Sequence, residues 1–326
     1  MHKTRRKLIL ASAISGILPS AVIGQGVFPS GPVKIVVPFP PGGGADVLAR
    51  VLGKQLSDRW GKPVIIENRP GAATSMAAGY VAKAAADGAT LLLTSDTTLA
   101  VNPALYSKLP YNADVDFAPI SQLVQLNQML LVRNESGITD LNSFIQKAKA
   151  SPGKLTYASY GSGSEPHLAM EMLKNKAGIF ILHVPYRGVP LALNALLGGE
   201  VDFTFSGVAS ALPHIQSGKL RAIAIGGSKR TPLVGDIPTF AELGYPMVPA
   251  RAWFGLVAPA NTPASIVQKI AQDVRSIADS PEFLAKDVQA RGFVPIFNTP
   301  AEFSRELVRN RAEAIQLVKI SGAMPE

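Results

Sequence analysis

The 326-residue chain contains no cysteine. That absence excludes a disulfide framework, a thiolate metal site and a cysteine nucleophile. It also excludes a lipoprotein anchor, which would need a cysteine after an export signal. No stretch stays apolar for the ~20 residues that a membrane-spanning helix requires. Charged residues are sparse at 17%, whereas hydrophobic residues make up 47%, a globular rather than a disordered composition. The sequence shows no internal repeat and no low-complexity segment. Basic residues are scattered, with 228–230 the densest run beyond the N-terminal region, so the clustered cations and interleaved aromatics of a nucleic-acid surface are missing. His167, His183 and His214 lack both the three- or four-residue spacing and the acidic company of a metal site, and neither a metal nor another cofactor is expected.

What is present begins with an address. Lys3, Arg5, Arg6 and Lys7 precede the apolar run "LILASAISGIL", and "AVIGQ" supplies small residues for cleavage near Gly24. Segment 1–24 is therefore expected to be an export signal. The paired Arg5 and Arg6 leave the twin-arginine and general secretory routes both open. Those four basic residues leave with a segment that contains no acid, which takes the formal charge from +9 to +5. A mild positive field of this kind suits a small anion better than a polyanion.

Runs such as "VKIVV", "PVIIE", "ATLLLTS", "KLTYAS", "GIFILHV", "VDFTF" and "LRAIAI" alternate with segments of three- and four-residue apolar spacing, among them "ADVLARVLGKQLSDRW" and "AATSMAAGYVAKAAA". That alternation predicts an α/β fold with mostly parallel sheets covered on both faces. Two long extended stretches, 116–136 and 249–263, interrupt it. They are expected to be crossing strands that divide the chain into a discontinuous first domain, 29–122 plus 254–326, and an inserted second domain, 123–253. Ligands of such sheets sit at strand ends, so the strand-to-helix loops and the cleft between domains carry the functional expectation.

The first such loop is "VVPFPPGGGADVLAR", residues 36–50. It lacks the Gly-Lys-Ser/Thr ending of a nucleotide phosphate loop, and Val47 stands where a dinucleotide fingerprint needs its third glycine. The backbone N–H groups of Gly42, Gly43 and Gly44 can cradle a carboxylate or form a plain tight turn; both readings stay open. Asp46 is placed to cap the helix, with its carboxylate toward backbone donors. The second loop, "YASYGSGSEPHLAM", offers Ser159, Gly161, Ser162, Gly163 and Ser164, but no serine has the two flanking glycines of a nucleophile elbow. His167 is expected to orient that loop and His183 to point into structure. Arg187 in "HVPYRG" can pair with a ligand carboxylate. "SDTTLA", "FSGVAS" and the pair Arg251 and Trp253 are further cleft candidates.

These segments, with "GKPVIIENRPGA", "NPALYSKLPY", "SALPHIQSGKLRAIAI", "DIPTFAELGYP" and "WFGLVAPANTP", resemble in order and spacing the Bug-type substrate-binding receptors of tripartite tricarboxylate transporters. The resemblance runs from about residue 29 to the C-terminus. It implies a fold similar to type II periplasmic binding proteins: two α/β domains, two crossing strands and a ligand cleft. It further implies a periplasmic, soluble, monomeric receptor for a small carboxylate, without enzymatic activity, that delivers its ligand to integral-membrane permease subunits. Carried over, one carboxylate is anchored by Phe39, Pro40, Gly42, Gly43, Gly44, Ala45 and Asp46 together with Ser159, Gly161, Gly163, Ser164 and His167. The other ligand end is read around Thr97, Tyr186, Arg187 and Ser206. Thr74, Ser75 and Met76 replace positions richer in glycine in relatives. Ser206 and Gly207 stand where many relatives carry an aspartate or asparagine, which favours an acid without an amine. A ligand sensor for a signalling system is the alternative, and a serine hydrolase is a further one.

Overall fold

The structure is a computed structural model and describes residues 28–227 and 229–323. The expected export segment 1–24 lies outside the described residues. The chain opens with β1 (Val33–Val37), α1 (Gly44–Trp60), β2 (Val64–Asn68), α2 (Ser75–Val81) and β3 (Thr90–Ser95). A π-helical turn, Thr97–Val101, then runs into α3 (Asn102–Leu105). β4 (Phe117–Arg133) leads to α4 (Leu141–Ala150), β5 (Thr156–Ser159), α5 (Glu165–Ala177), β6 (Leu182–Pro185) and α6 (Val189–Gly198). After β7 (Phe203–Gly207), α7 (Val208–Gln216) and β8 (Leu220–Ile225), the chain returns through β9 (Arg251–Pro259). It finishes with α8 (Ala264–Ala278), α9 (Pro281–Phe283), β10 (Phe293–Pro295) and α10 (Pro300–Ser321).

The strand order is β2-β1-β3-β9-β4-β7-β5-β6, with β8 and β10 each also pairing β4. Parallel pairing is confined to two triplets, β2-β1-β3 and β7-β5-β6. Everything that joins them is antiparallel, because β4 and β9 run back and forth between the triplets. β4 is the shared member. Phe117 to Asn127 pair with β9, and Gln128 to Val132 pair with β7. The strand partners thus change between Asn127 and Gln128.

Local chemistry explains the elements. β1 is β-branched except at Lys34, and its Val33, Ile35, Val36 and Val37 are fully buried, as in a strand covered on both faces. α1 buries Ala45, Leu48, Ala49, Leu52 and Leu56 on one face and stops at Gly61, whose left-handed backbone returns its N–H to the Ser57 carbonyl at 3.0 Å. α4 and α10 begin with reciprocal capping boxes, Asp140 with Ser143 and Thr299 with Glu302. The region expected to be helical over 72–86 is helical only from Ser75 to Val81. Ala72, Ala73 and Thr74 precede it with φ of 46°, 47° and 76°, a left-handed turn without glycine that costs about 1–2 kcal/mol per residue. The Asn102 amide holds this turn by donating to the Ala73 carbonyl at 2.6 Å, and the Thr98 hydroxyl meets that of Thr74 at 2.9 Å.

Separate apolar cores fill the two ends of the molecule, one around Ile35, Leu48, Leu93 and Ile270, the other around Leu130, Phe144, Tyr157 and Phe203. A small cluster joins them: Ala100, Val101 and Leu105 pack with Leu168 of α5 and Ala314 of α10. α10 therefore lies against both ends. Where β4 changes partners, three backbones converge. Gln128 N–H donates to the Ala250 carbonyl at 2.9 Å, and Gly226 N–H donates to the Gln128 carbonyl at 2.8 Å. A Cβ added at Gly226 would come within 1.6 Å of the Ala250 carbonyl oxygen, so only glycine fits this approach. Gly226→Ala is expected to cost about 3 kcal/mol by forcing these backbones apart. Urea unfolding of the two proteins would measure it, and an unchanged midpoint would refute the reading.

Candidate functional site

The carboxyl ends of β1, β2, β3, β5 and β6 face a common cleft of about 660 Å³, and that of β7 faces a smaller compartment of about 40 Å³ beside it. α5 and α6 begin at the cleft, at the N-cap residues Ser164 and Gly188, and α1 and α7 begin at the small compartment, at Gly43 and Gly207. The first N–H groups of a helix have no acceptor within it, and the helix dipole is positive at that end. Four such ends contributed from both sides of the molecule give an anion-attracting field without a buried cation. Arg187 supplies the fixed charge. It is exposed at the cleft wall and, among the described residues, is in no ion pair.

The glycine loop is arranged to keep its amides available. The Asp46 carboxylate is buried and accepts from Gly42 N–H at 3.0 Å, from the Arg50 guanidinium at 2.9 Å and from the Asn68 amide at 3.0 Å. Burial alone would raise this carboxyl. The bonds from Arg50, Gly42 and Asn68 outweigh it and hold the group below the usual carboxylate value. Gly43 is the N-cap and Asp46 acts from inside the first turn, which corrects the expectation that Asp46 itself caps the helix. Its position is the same in purpose: it consumes the Gly42 donor and anchors the loop to β2, while Gly43, Gly44 and Ala45 line the small compartment.

In the second loop the Ser164 hydroxyl meets the Gly161 carbonyl at 2.6 Å and accepts from Tyr160 N–H at 3.2 Å. Gly163 N–H donates to His167 Nδ1 at 2.9 Å. His167 lies flat on His183, with ring centroids 4.1 Å apart, and His183 in turn stacks on Tyr157. Burial, with the nearby His167 and Lys174, holds the His183 imidazole down at about 3, so it stays neutral at neutral pH. A serine–histidine contact does exist here: Ser159 Oγ lies 2.6 Å from His183 Nε2. Ser159 is fully buried, however, and the contact supports the loop from beneath.

Of the residues anticipated from sequence, Phe39, Pro40, Thr97, Gly161, Ser164, Tyr186 and Arg187 line the cleft, and Gly43, Gly44 and Ala45 line the small compartment. Gly42, Asp46, Ser159, Gly163, His167 and Ser206 do not border either space; all but Ser206 brace the two loops, and the Ser206 hydroxyl meets the Gly207 carbonyl at 3.4 Å. Spacing in the sequence does not point to Tyr160, Glu165 or Met76, which the structure places on the cleft wall. Nor does it point to the turn Ala72–Thr74, since three non-glycine residues in left-handed conformation leave no compositional trace. Glu165 had a visible signal, an acid at the first position of the helix after a Ser/Gly loop.

Two substitutions test this bracing. Asp46→Asn is expected to cost about 2 kcal/mol at neutral pH through loss of its charge-assisted bonds. Because the folded carboxyl is held low, the difference should shrink as pH falls through that lowered value. His183 has a folded value below its ordinary 6.5, so it contributes stability above that pH and loses it as pH falls toward about 3. His183→Gln should therefore flatten the acid side of the stability profile. Equal acid slopes for the two proteins would contradict this.

Residues 48–316 match the model of the tripartite tricarboxylate transporter family receptor. The chain is 35% identical to Protein BugT of Bordetella pertussis over 92% of both chains. Among solved structures it is similar to Rpa4515 of R. palustris with adipate, at 31% identity and a TM-score of 0.88, covering 92% of this chain and 100% of that one. It is also similar to MatC of Rhodopseudomonas palustris with bound malate, at 32% identity and a TM-score of 0.83, covering 89% and 100%. The chain belongs to the tripartite tricarboxylate transporter receptor family, the solute-binding receptors that include the Bug proteins.

Proposed function

We propose that this receptor captures a small organic acid, a di- or tricarboxylate or an aromatic carboxylate, in the cleft between its two ends. The observation that carries the reading is the placement of four helix N-termini, those of α5 and α6 on the cleft and those of α1 and α7 on the compartment beside it, with Arg187 as the exposed cation of the cleft wall. One ligand carboxylate meets the amides at Gly43, Gly44 and Ala45, and a second group reaches Arg187. Adipate and malate, found in the two similar structures, are ligands of that shape.

Capture proceeds by closure. The moving bodies are 29–122 plus 254–326 and 123–253, connected by β4 and β9. Donors from both reach the ligand together only when the bodies meet, so ligand binding shifts the population toward the closed form. The closed form is then offered to integral-membrane permease subunits, after export of the chain to the periplasm with loss of 1–24. Binding without turnover is supported by the buried state of Ser159 and by the commitment of the Ser164 hydroxyl to the Gly161 carbonyl and Tyr160 N–H.

A thermal-shift screen over adipate, malate, citrate and benzoate tests the reading, since a ligand held only by the folded form raises its melting temperature. At least one acid should stabilise the protein. Arg187→Ala should weaken a diacid by about tenfold to a hundredfold, the worth of one charge-assisted pair, and leave a monoacid nearly unaffected. No shift with any acid at millimolar concentration would reject it.

A further inference from the structure

Among the described residues, four border both the cleft and the small compartment beside it: Phe39, Pro40, Tyr160 and Glu165. They form the throat that a ligand end must pass to reach Gly43, Gly44 and Ala45. Three of them offer an anion nothing. Phe39 and Pro40 are apolar, and the Tyr160 hydroxyl donates to the Phe205 carbonyl at 2.5 Å. Glu165 is the fourth, and it alone carries a charge.

Glu165 is the first residue of α5, with 8% of its surface exposed. Its Oε1 accepts from the hydroxyl of Thr97, another residue of the cleft wall, at 3.2 Å. The other acid of α5, Glu171, is paired with Lys174 at 2.6 Å, whereas Glu165 takes part in no ion pair among the described residues. Arg187 borders the cleft but not the compartment, so it does not stand in the throat. The dipole of α5 favours an acid at this position, and that acid in turn offsets the field the helix end presents to an anion.

The compartment holds about 40 Å³, room for a carboxylate and little beyond it. The ligand atom at the throat is then the carbon next to that carboxylate. A carboxylate seated in the compartment has a fixed negative group beside it, and the two repel more strongly once closure excludes water. An ionised carboxylate only accepts hydrogen bonds, so Glu165 is satisfied only by a ligand that brings the donor. Left without one, a buried acceptor costs its full desolvation.

We propose that Glu165 selects the ligand by requiring a hydrogen-bond donor, a hydroxyl or an ammonium group, on the carbon next to the carboxylate that enters the compartment. The selector deepens the receptor reading by narrowing its acids to 2-hydroxy and 2-amino acids, and it rests on that reading for the seat of the carboxylate. Either donor puts a proton between the two negative groups and turns their repulsion into a charge-assisted bond. Glu165 thereby supplies, from α5, an acid of the kind that Ser206 does not supply on β7.

Calorimetry with matched acids tests this. Malate and succinate differ only by the 2-hydroxyl, as do mandelate and phenylacetate, and aspartate puts an ammonium in the same place. In a pair that binds, the acid with the donor should be tighter by roughly tenfold to a hundredfold, the worth of one hydrogen bond to a charged group. In Glu165→Gln the amide oxygen still accepts but the charge is gone. Succinate and phenylacetate should then gain, malate should change little, and aspartate should lose about tenfold or more. A Glu165 that only supports the fold would weaken every acid alike and leave the ratios where they were. Succinate binding as tightly as malate and aspartate overturns the selector, as does a malate-to-succinate ratio that Glu165→Gln leaves unchanged. The wild-type comparison decides the question even if the variant fails to fold. Binding of adipate or benzoate with none by malate, mandelate or aspartate rejects the selector and keeps the receptor, whereas no binding by any acid rejects both.

Discussion

The structure depends on the pairing of one strand. β4 is 17 residues long and belongs to both sheets, so each parallel triplet is fixed to the other through its antiparallel neighbours. A strand shared in this way must satisfy two sets of partners and can change them only where the backbone tolerates it. The change falls beside Gln128, Gly226 and Ala250, where carbonyl and amide groups of three segments close on one another and a side chain at Gly226 has no room. β9 runs antiparallel along the first half of β4 and completes a two-stranded connection. Strand ends from both triplets then open toward the same space, and the cleft is a consequence of the topology.

What that cleft can bind follows from what is placed at its rim. Helix N-termini supply partial positive charge without the desolvation cost of burying a lysine or arginine. This field is useful only if the amides are not consumed by their own loop. Asp46 meets that requirement by taking the Gly42 N–H and tying the loop to Arg50 and Asn68, so the donors beyond Gly42 stay open. On the opposite side, His167 takes the Gly163 N–H and Ser159 rests on the neutral His183. Both loops are stiffened from behind by side chains that never touch the cleft. A binding surface made of backbone depends on such support, because its own atoms cannot choose a rotamer.

The parts legible in the sequence were those governed by short-range pattern. "VKIVV", "ATLLLTS" and the apolar spacing of α1 identify themselves because burial on two faces or on one stripe leaves few other solutions. The two crossing strands were visible as long extended stretches, the first without a turn before Asn134 and the second apolar and bounded by prolines. "GIFILHV" was not as it read: only Leu182–Pro185 form β6, and Phe180 and Leu182 stay exposed. The braced loops were found, but spacing could not distinguish a residue facing the cleft from one facing the loop's back; Gly161 and Gly163 differ in this way although they are two residues apart. The left-handed turn at Ala72–Thr74 was invisible because tertiary hydrogen bonds from Asn102 and Thr98 impose it against local preference. Its strain sits directly in the cleft wall, where sequence rules most often fail.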